Sequence, residues 1–309
     1  MVENKEQLAE VLDLPDSQPT VQTARQRRRS VPLSPVVQLP LWPEPNRGIP
    51  NSILRSALFG VVRRGRRRYV EKELIASWPG ITIRYTGMKL DQSDLDVWLF
   101  AVHLARHHTL GSQIRFSAYG FLNGIGRSQG KQNREWLKAV LTRLTATAVE
   151  IAVGKRTYTG SLVHEFFHDS DTNGYVLTVN PRLAMLFDDG YSLLVWQTRS
   201  ALRSDLAKWI HCFVRSHPPG VRHQVGIDGL LELCGSESKN IREFRQRLRE
   251  AMGELEALGE VMDWCAKDIV LEFTRAETEA DQDISAGVLA NGGRFVNPTA
   301  KQNFTLMGE

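Results

Sequence analysis

Apolar residues recur at helical spacing in two segments of the same design. From Phe116 to Leu144 the chain reads FSAYGFLNGIGRSQGKQNREWLKAVLTRL, and from Ile227 to Leu255 it reads IDGLLELCGSESKNIREFRQRLREAMGEL. Each predicts a short apolar helix, a glycine-centred turn, and a second helix that opens with small polar and basic residues. In the later copy Ile241, Phe244, Leu248, Met252 and Leu255 repeat at spacings of 3, 4, 4 and 3, which is one stripe of an α-helix. In the earlier copy Trp136, Val140 and Leu144 fall four apart, with Leu137 and Leu141 beside them. A strand–turn–strand pattern follows each copy. The first is Glu150–Val153, a Gly154-Lys155-Arg156 turn and Thr157–Val163; the second is Glu260–Cys265, Ala266-Lys267-Asp268 and Ile269–Phe273. A helix-turn-helix followed by a hairpin wing is a unit that reads DNA.

The rest of the pattern predicts a strand over Ile81–Gly87 and a helix from Asp91 to His108 carrying Leu95, Trp98, Leu99, Val102 and Ala105. A hairpin follows around Asp169–Gly174, then a short helix from Pro181 to Phe187, and a helix from Leu202 to Phe213. Residues 1–49 hold seven of the 13 prolines and little periodicity, so they read as a disordered arm. Residues 50–192 and 193–275 read as two domains, and 276–309 as an acidic, disordered tail.

Charge sharpens the picture locally more than globally. The chain of 309 residues is 42% hydrophobic and carries a net charge of only +4. The segment from Ser236 to Arg249 alone carries +3, and Arg127 to Arg143 carries +4. Read as DNA contacts, the C-terminal helix begins at Ser236 and offers Ser236, Ser238, Lys239, Asn240, Arg242, Arg245 and Arg249 to base edges or phosphates. The N-terminal helix begins near Ser128 and offers Ser128, Lys131, Gln132, Asn133, Arg134 and Lys138. Arginine pairs bidentately with guanine and asparagine with adenine. Five arginines in six positions, Arg63, Arg64, Arg66, Arg67 and Arg68 around Gly65, read as phosphate contacts, as do Lys155 and Arg156 at the first wing tip.

No apolar run reaches the ~18–20 residues of a membrane span, and no leader peptide is visible. The three cysteines, Cys212, Cys234 and Cys265, form no CxxC pair; they read as buried thiols in a reducing cytoplasm. His164-Glu165-Phe166-Phe167-His168 matches HExxH, but a zinc hydrolase needs that motif on a helix. On a strand the two histidines stand about 13 Å apart, too far for one ion. His107-His108 lacks the spacing of a nickase metal pair, and no phosphate-binding loop or acidic two-metal cluster is present. The expectation is a protein without catalytic activity, metal or cofactor. Gln38, Leu39, Leu41 and Trp42, in the proline-rich arm, fit a short extended peptide for an apolar groove on a partner.

The pieces Gln38-Leu39-Pro40-Leu41-Trp42-Pro43, Ile49-Pro50-Asn51, Arg55-Ser56-Ala57-Leu58-Phe59, Ile83-Arg84-Tyr85-Thr86-Gly87, Arg143-Leu144-Thr145-Ala146-Thr147-Ala148 and Cys234-Gly235-Ser236 stand in the order of the TrfA family of plasmid replication initiators, which this chain resembles over residues 37–275. The resemblance implies an α+β fold of two tandem winged-helix domains related by a pseudo-two-fold. It implies binding to directly repeated double-stranded DNA at a plasmid origin, opening of that origin, and recruitment of DnaA, the replicative helicase and the sliding clamp. The clamp peptide of the family resembles QLSLF, and Gln38–Trp42 takes its place. A monomer–dimer equilibrium, with the first winged helix at the dimer interface, is also implied. The rival from the same reading heads is a transcriptional repressor without initiator activity.

Overall fold

The apolar stripes close on two hydrophobic cores. One gathers side chains from Leu39 to Leu194 together with Cys212. The other runs from Leu202 to Phe273 and takes in Val61. The computed structural model describes residues 37–282 apart from 63–66, 173, 268 and 280.

The chain enters as strand β1 (Asn46–Pro50), the one-turn helix α1 (Asn51–Leu54) and the short strand β2 (Phe59–Gly60). Strands β3 (Tyr69–Ile75) and β4 (Ile81–Met88) follow, then β5 (Leu90–Asp91), which pairs parallel with β2 and runs into helix α2 (Gln92–Ala105). Asp91 starts that helix by accepting the Ser93 and Asp94 N–H groups, and the Asp94 side chain answers its backbone, a reciprocal cap. Helix α2 is apolar nearly all round, and Val97, Trp98, Leu99, Ala101 and Val102 are buried. It is the central element of the first core.

After α2 come β6 (Gln113–Ser117), α3 (Ala118–Gly124), α4 (Lys131–Thr145), the hairpin β7 (Ala148–Val153) and β8 (Arg156–Gly160), and the hairpin β9 (Glu165–Asp169) and β10 (Gly174–Thr178). A 3-10 turn, α5 (Ala184–Asp188) and β11 (Tyr191–Val195) complete this part, with β11 antiparallel to β1. The remainder is α6 (Trp196–Ala201), α7 (Asp205–Arg215), β12 (Arg222–Gly226), α8 (Ile227–Leu233), α9 (Ile241–Ala257) and the hairpin β13 (Val261–Lys267) and β14 (Val270–Arg275).

One order of elements occurs twice. Helix α2, strand β6 and helices α3 and α4 lead to a three-stranded antiparallel sheet ordered β6-β10-β9; α7, β12, α8 and α9 lead to one ordered β12-β14-β13. This corrects the reading of the first wing. The hairpin carrying Lys155 and Arg156 is an insertion that extends a separate sheet, β3-β4-β7-β8, and the counterpart of β13–β14 is β9–β10. The buried side chains Ile83, Tyr85, Val149 and Ile151 bind β4 to β7. A hairpin pattern in sequence carries no information about which sheet it joins.

Four further expectations need correction. The N-terminal arm is packed from Val37 onward, with Leu39 and Trp42 in the first core; the expected disorder of residues 1–36 lies outside the described residues. The expected boundary at Ser192 falls inside β11, whose Leu193 and Leu194 belong to the first core, so the change of core follows that strand. The acidic tail begins later than residue 276, because Asp281 pairs with Arg215 and Arg275; those two buried guanidinium groups need a counter-charge. Beyond residue 282 the tail lies outside the described residues. Finally, the two second helices start at Lys131 and Ile241, not at Ser128 and Ser236. Gly126 and Gly235 turn the chain with φ of +71° and +63°, conformations that favour glycine.

The two cores meet across a buried ion cluster. Arg199 of α6 is fully buried; its Nε donates to Asp96 of α2 at 2.7 Å, and its other nitrogens donate to Gln92 Oε1 at 3.1 Å and Lys208 O at 3.3 Å. Lys208 of α7 reaches the second oxygen of Asp96 at 2.8 Å. Removing one partner of such a cluster strands a buried charge. Asp96→Leu, which strands the fully buried Arg199 guanidinium, should lower the stability to urea by about 3 kcal/mol, and adding Arg199→Leu should recover much of the loss. Equal losses for the single and double variants would show that the fork contributes packing rather than charge.

Candidate nucleic-acid interface

Helix α9 buries Phe244, Leu248, Ala251, Met252 and Leu255 and exposes Arg242, Gln246 and Arg249, with Lys239 exposed in the turn before it. Ser236, Ser238 and Asn240 shape that turn. Asn240 Oδ1 accepts the Arg242 and Glu243 N–H groups at 3.1 and 3.3 Å, and Ser238 Oγ donates to Asn240 O at 3.3 Å. The Asn240 cap thus satisfies two of the N–H groups of the helix start, and the exposed side chains of Lys239 and Arg242 bring positive charge beside it. Arg245 is half-buried and Arg249 donates to Ala266 O at 3.2 Å. Arg247 is half-buried as well, so the fully exposed positive charge rests on Arg242 and Arg249, with Lys239 in the turn before the helix and the exposed carboxylates Glu243 and Glu250 beside them.

Helix α4 repeats the arrangement with a different start. Leu137, Val140, Leu141 and Leu144 are buried; Lys131, Gln132, Lys138 and Thr142 are exposed. Its first residue follows Gly130, which supplies no side-chain cap. Asn133 instead braces the preceding turn, donating to Ser128 O and Oγ at 2.8 Å, and Arg134 is half-buried. Sequence reasoning gave no role to Arg127, which lies over the Trp136 ring at 3.7 Å. That cation–π contact holds a charge at the mouth of the turn. An arginine nine residues before an otherwise apolar-stripe tryptophan was the available signal.

The arginine run divides. Arg63, Arg64 and Arg66 lie outside the described residues. Arg67 is not free for phosphate: it donates to Asp94 at 2.7 Å and Lys89 O at 2.8 Å and also pairs with Asp91. Its partners lie more than twenty residues away in sequence, which is why the run read as uniform. Arg68 is exposed and pairs with Glu73 at 2.8 Å. Arg156 pairs with Asp188 and Asp189, so at the β7–β8 turn only the exposed Lys155 is without an acidic partner in the described structure. The tip between β9 and β10 carries Asp169 and Asp171, with Asp169 accepting the Asp171 N–H at 2.9 Å. An acidic tip repels phosphate. The β13–β14 tip instead exposes Lys267 and Ile269. The HExxH segment lies on strand β9 rather than a helix, and no group of three or more metal-ligating side chains occurs among the described residues.

The Gln38–Trp42 peptide is docked on its own protein, which corrects its reading as a free peptide. Gln38 donates to Arg106 O at 3.2 Å, Leu39 is buried, and Trp42 stacks on Phe187 with ring centroids 5.9 Å apart. Of its large apolar side chains Leu41 alone stands out, 60% exposed. A Cβ at position 48 would meet the Trp42 ring at 2.6 Å, so Gly48 is what lets the indole lie flat. Trp42 Nε1 donates to His103 Nδ1 at 3.1 Å, which leaves the imidazole proton on Nε2, facing Glu44 at 3.0 Å. Arg106 also pairs with Glu44. The His103 hydrogen bond, with help from Arg106, holds the Glu44 carboxyl at about 2. Burial pushes His103 down to about 4, against the pull of Glu44 and with Arg47 and Arg106 adding to the depression.

Two helix pairs of one order, each presenting basic side chains on its second helix, define a helix-turn-helix class of protein. The family model described as "TrfA protein" matches residues 4–274, and the chain belongs to that family. It is 25% identical over 239 residues to "Plasmid replication initiator protein TrfA" of Escherichia coli, a match covering 74% of this chain and 62% of that protein. The chain thus matches less than two thirds of that relative's length. Among solved structures it is similar to domains 2 and 3 of RctB at 13% identity, with a TM-score of 0.49 and coverage of 71% of this chain and 95% of that one. It is also similar to Pi initiator protein in complex with iteron DNA at 12% identity, with a TM-score of 0.44 and coverage of 59% and 92%. No helix among the described residues is long and apolar enough to cross a membrane.

The docked N-terminal strap should loosen in acid. His103 of α2 is depressed from 6.5 to about 4, so it takes up a proton first in the state with the strap released, and docking is lost as pH falls from about 6.5 towards 4. The depressed Glu44 extends the loss below 4.5. His211 and His217 of the second core are also depressed by burial, so the measurement must be local. Hydrogen exchange of residues 38–50, corrected for intrinsic rates, should show weaker protection at pH 5 than at pH 7.5. His103→Gln, which preserves both hydrogen bonds, should remove most of that difference; an unchanged difference would assign it elsewhere.

Proposed function

We propose that the protein is a non-catalytic plasmid replication initiator, built on two tandem winged-helix units, that binds directly repeated double-stranded DNA at an origin. Supporting this is the doubled order of elements in a TrfA-family chain, with each second helix turning its basic face outward. Helix α9 enters a major groove with Arg242 and Lys239 foremost, and α4 enters a neighbouring groove through Lys131, Gln132 and Lys138. Phosphate contacts from Arg68, Lys155 and Lys267 set the register. Origin opening, recruitment of DnaA and the replicative helicase, and a monomer–dimer balance belong to the same reading. So does a sliding-clamp contact through Leu41, with Leu39 and Trp42 joining only if the strap leaves its groove.

Titration against a direct-repeat duplex from the replicon, at two salt concentrations, tests this. Arg242→Ala should weaken binding by about 1–3 kcal/mol. Arg67→Ala should lower thermal stability and leave the salt dependence of binding unchanged, because its charge is spent inside the fold. Equal, salt-sensitive binding of repeat and random duplexes would reject the initiator reading. Separately, Leu41→Ala should reduce capture on immobilised sliding clamp without affecting DNA binding; undiminished capture would count against that contact.

A further inference from the structure

Residues 55–61 keep Leu58 and Phe59 in the first core while their backbone and Val61 run along the second. Arg55 Nε donates to Ser216 Oγ at 2.9 Å, beyond the end of α7. Ser56 O accepts from Trp209 Nε1 at 3.0 Å. The Val61 N–H donates to Cys234 O at 2.7 Å, and the Val61 side chain is buried in the second core. Cys234 ends α8, and Gly235 begins the turn into α9. The two backbones touch at glycines. A Cβ on Gly60 would stand 3.2 Å from Cys234 O, and one on Gly235 would stand 3.1 Å from Ala57 Cβ.

The same segment is rooted in the first half. Phe59 and Gly60 pair with Leu90 and Asp91, and the Gln92 side chain donates to Phe59 O. Asp91 caps α2, and Asp94, in the first turn of that helix, holds Arg143 of α4 at 2.7 Å. An unbroken series of contacts therefore leads from α4, through the start of α2 and residues 59–61, to the turn that launches α9.

We infer that residues 55–61 act as a splint that fixes the phase between α4 and α9, so that the protein itself selects the spacing of its two DNA contacts. Gly60 and Gly235 are then specificity-determining positions, although neither faces DNA. This rests on the reading above that both helices lie in grooves of one duplex. One added base pair rotates the second contact by about 35°, and a splinted pair of helices cannot follow.

The test is binding of the full chain to single repeats with zero or one base pair inserted between the two contacted halves. Wild-type protein should lose at least about tenfold on the insertion. Gly60→Val, which forces the turn away from the splint, should lose about tenfold on native spacing and little more on the insertion. A Gly60→Val protein that melts cooperatively and keeps the wild-type spacing preference overturns the inference. Should Gly60→Val fail to fold, pulsed spin-label distances decide the matter independently, using the exposed positions Ala139→Cys on α4 and Ala257→Cys at the end of α9 in a Cys265→Ser background. The splint requires one narrow distance, the same with and without DNA; a broad distribution in the free protein overturns it. Wild-type protein that binds no repeat at any spacing removes the initiator reading itself, whereas binding without spacing preference removes only the splint.

Discussion

Arg199 sits where the two cores would otherwise slide past each other. Its planar fork reaches Asp96 and Gln92 on α2 and the Lys208 carbonyl on α7, and a guanidinium satisfies that set only in one relative placement of the helices. Apolar packing alone tolerates small shifts, because dispersion contacts are individually weak and many packings are nearly equivalent. A desolvated charge does not, since an ångström of slip leaves it without a counter-ion. The contribution of the cluster is therefore uniqueness of arrangement more than net free energy. Trp78 reinforces it from the other side, its ring 5.6 Å from that of Phe213 in α7.

Helix α2 is the element through which everything in the first half is held. Its start takes Arg67 and Arg143 on Asp94, its middle gives Asp96 to the seam, and its end offers His103 and Arg106 to the strap. A helix with polar groups at three levels and apolar residues between them has no solvated face to spare. That explains why Asp94, fully buried, has its carboxyl raised by burial despite two arginines beside it.

Much of this architecture could be read from periodicity. The α9 stripe, the α2 helix, the β13–β14 hairpin and the strand character of the HExxH segment all depend on local spacing, and local spacing is what a sequence displays. What escaped depends on distant partners. Lys155 and Arg156 looked like a wing tip because hairpin alternation is the same in any sheet, and only the β4–β7 register assigns it. Arg67 looked like its neighbours because Asp91 and Asp94 sit on another element. The strap looked disordered because prolines dominate its composition, whereas Leu39, Trp42 and the bare Cα of Gly48 were enough to seat it. Helix starts were misplaced by three to five residues because serine, a good cap, preceded the residues that begin each helix.

The two helix pairs share one order of elements but differ at their tips. Asp169 and Asp171 close the β9–β10 hairpin, while Lys267 stands at the β13–β14 turn. Helix α9 begins with an asparagine cap and an outward arginine, and α4 begins after an uncapped glycine. In a phosphate field these differences act in the same direction. The second unit carries arginines on its helix and a Lys267-Asp268 tip of no net charge, and the first carries positive charge on its helix beside a repulsive tip. In the proposed complex the duplex would therefore be held chiefly by the arginines of α9. There the first unit would contribute through α4 to the extent that the seam brings that helix to the groove. In that complex the placement of Lys131 and Lys138 relative to α9 would depend on the seam held by Arg199, although no contact joins them.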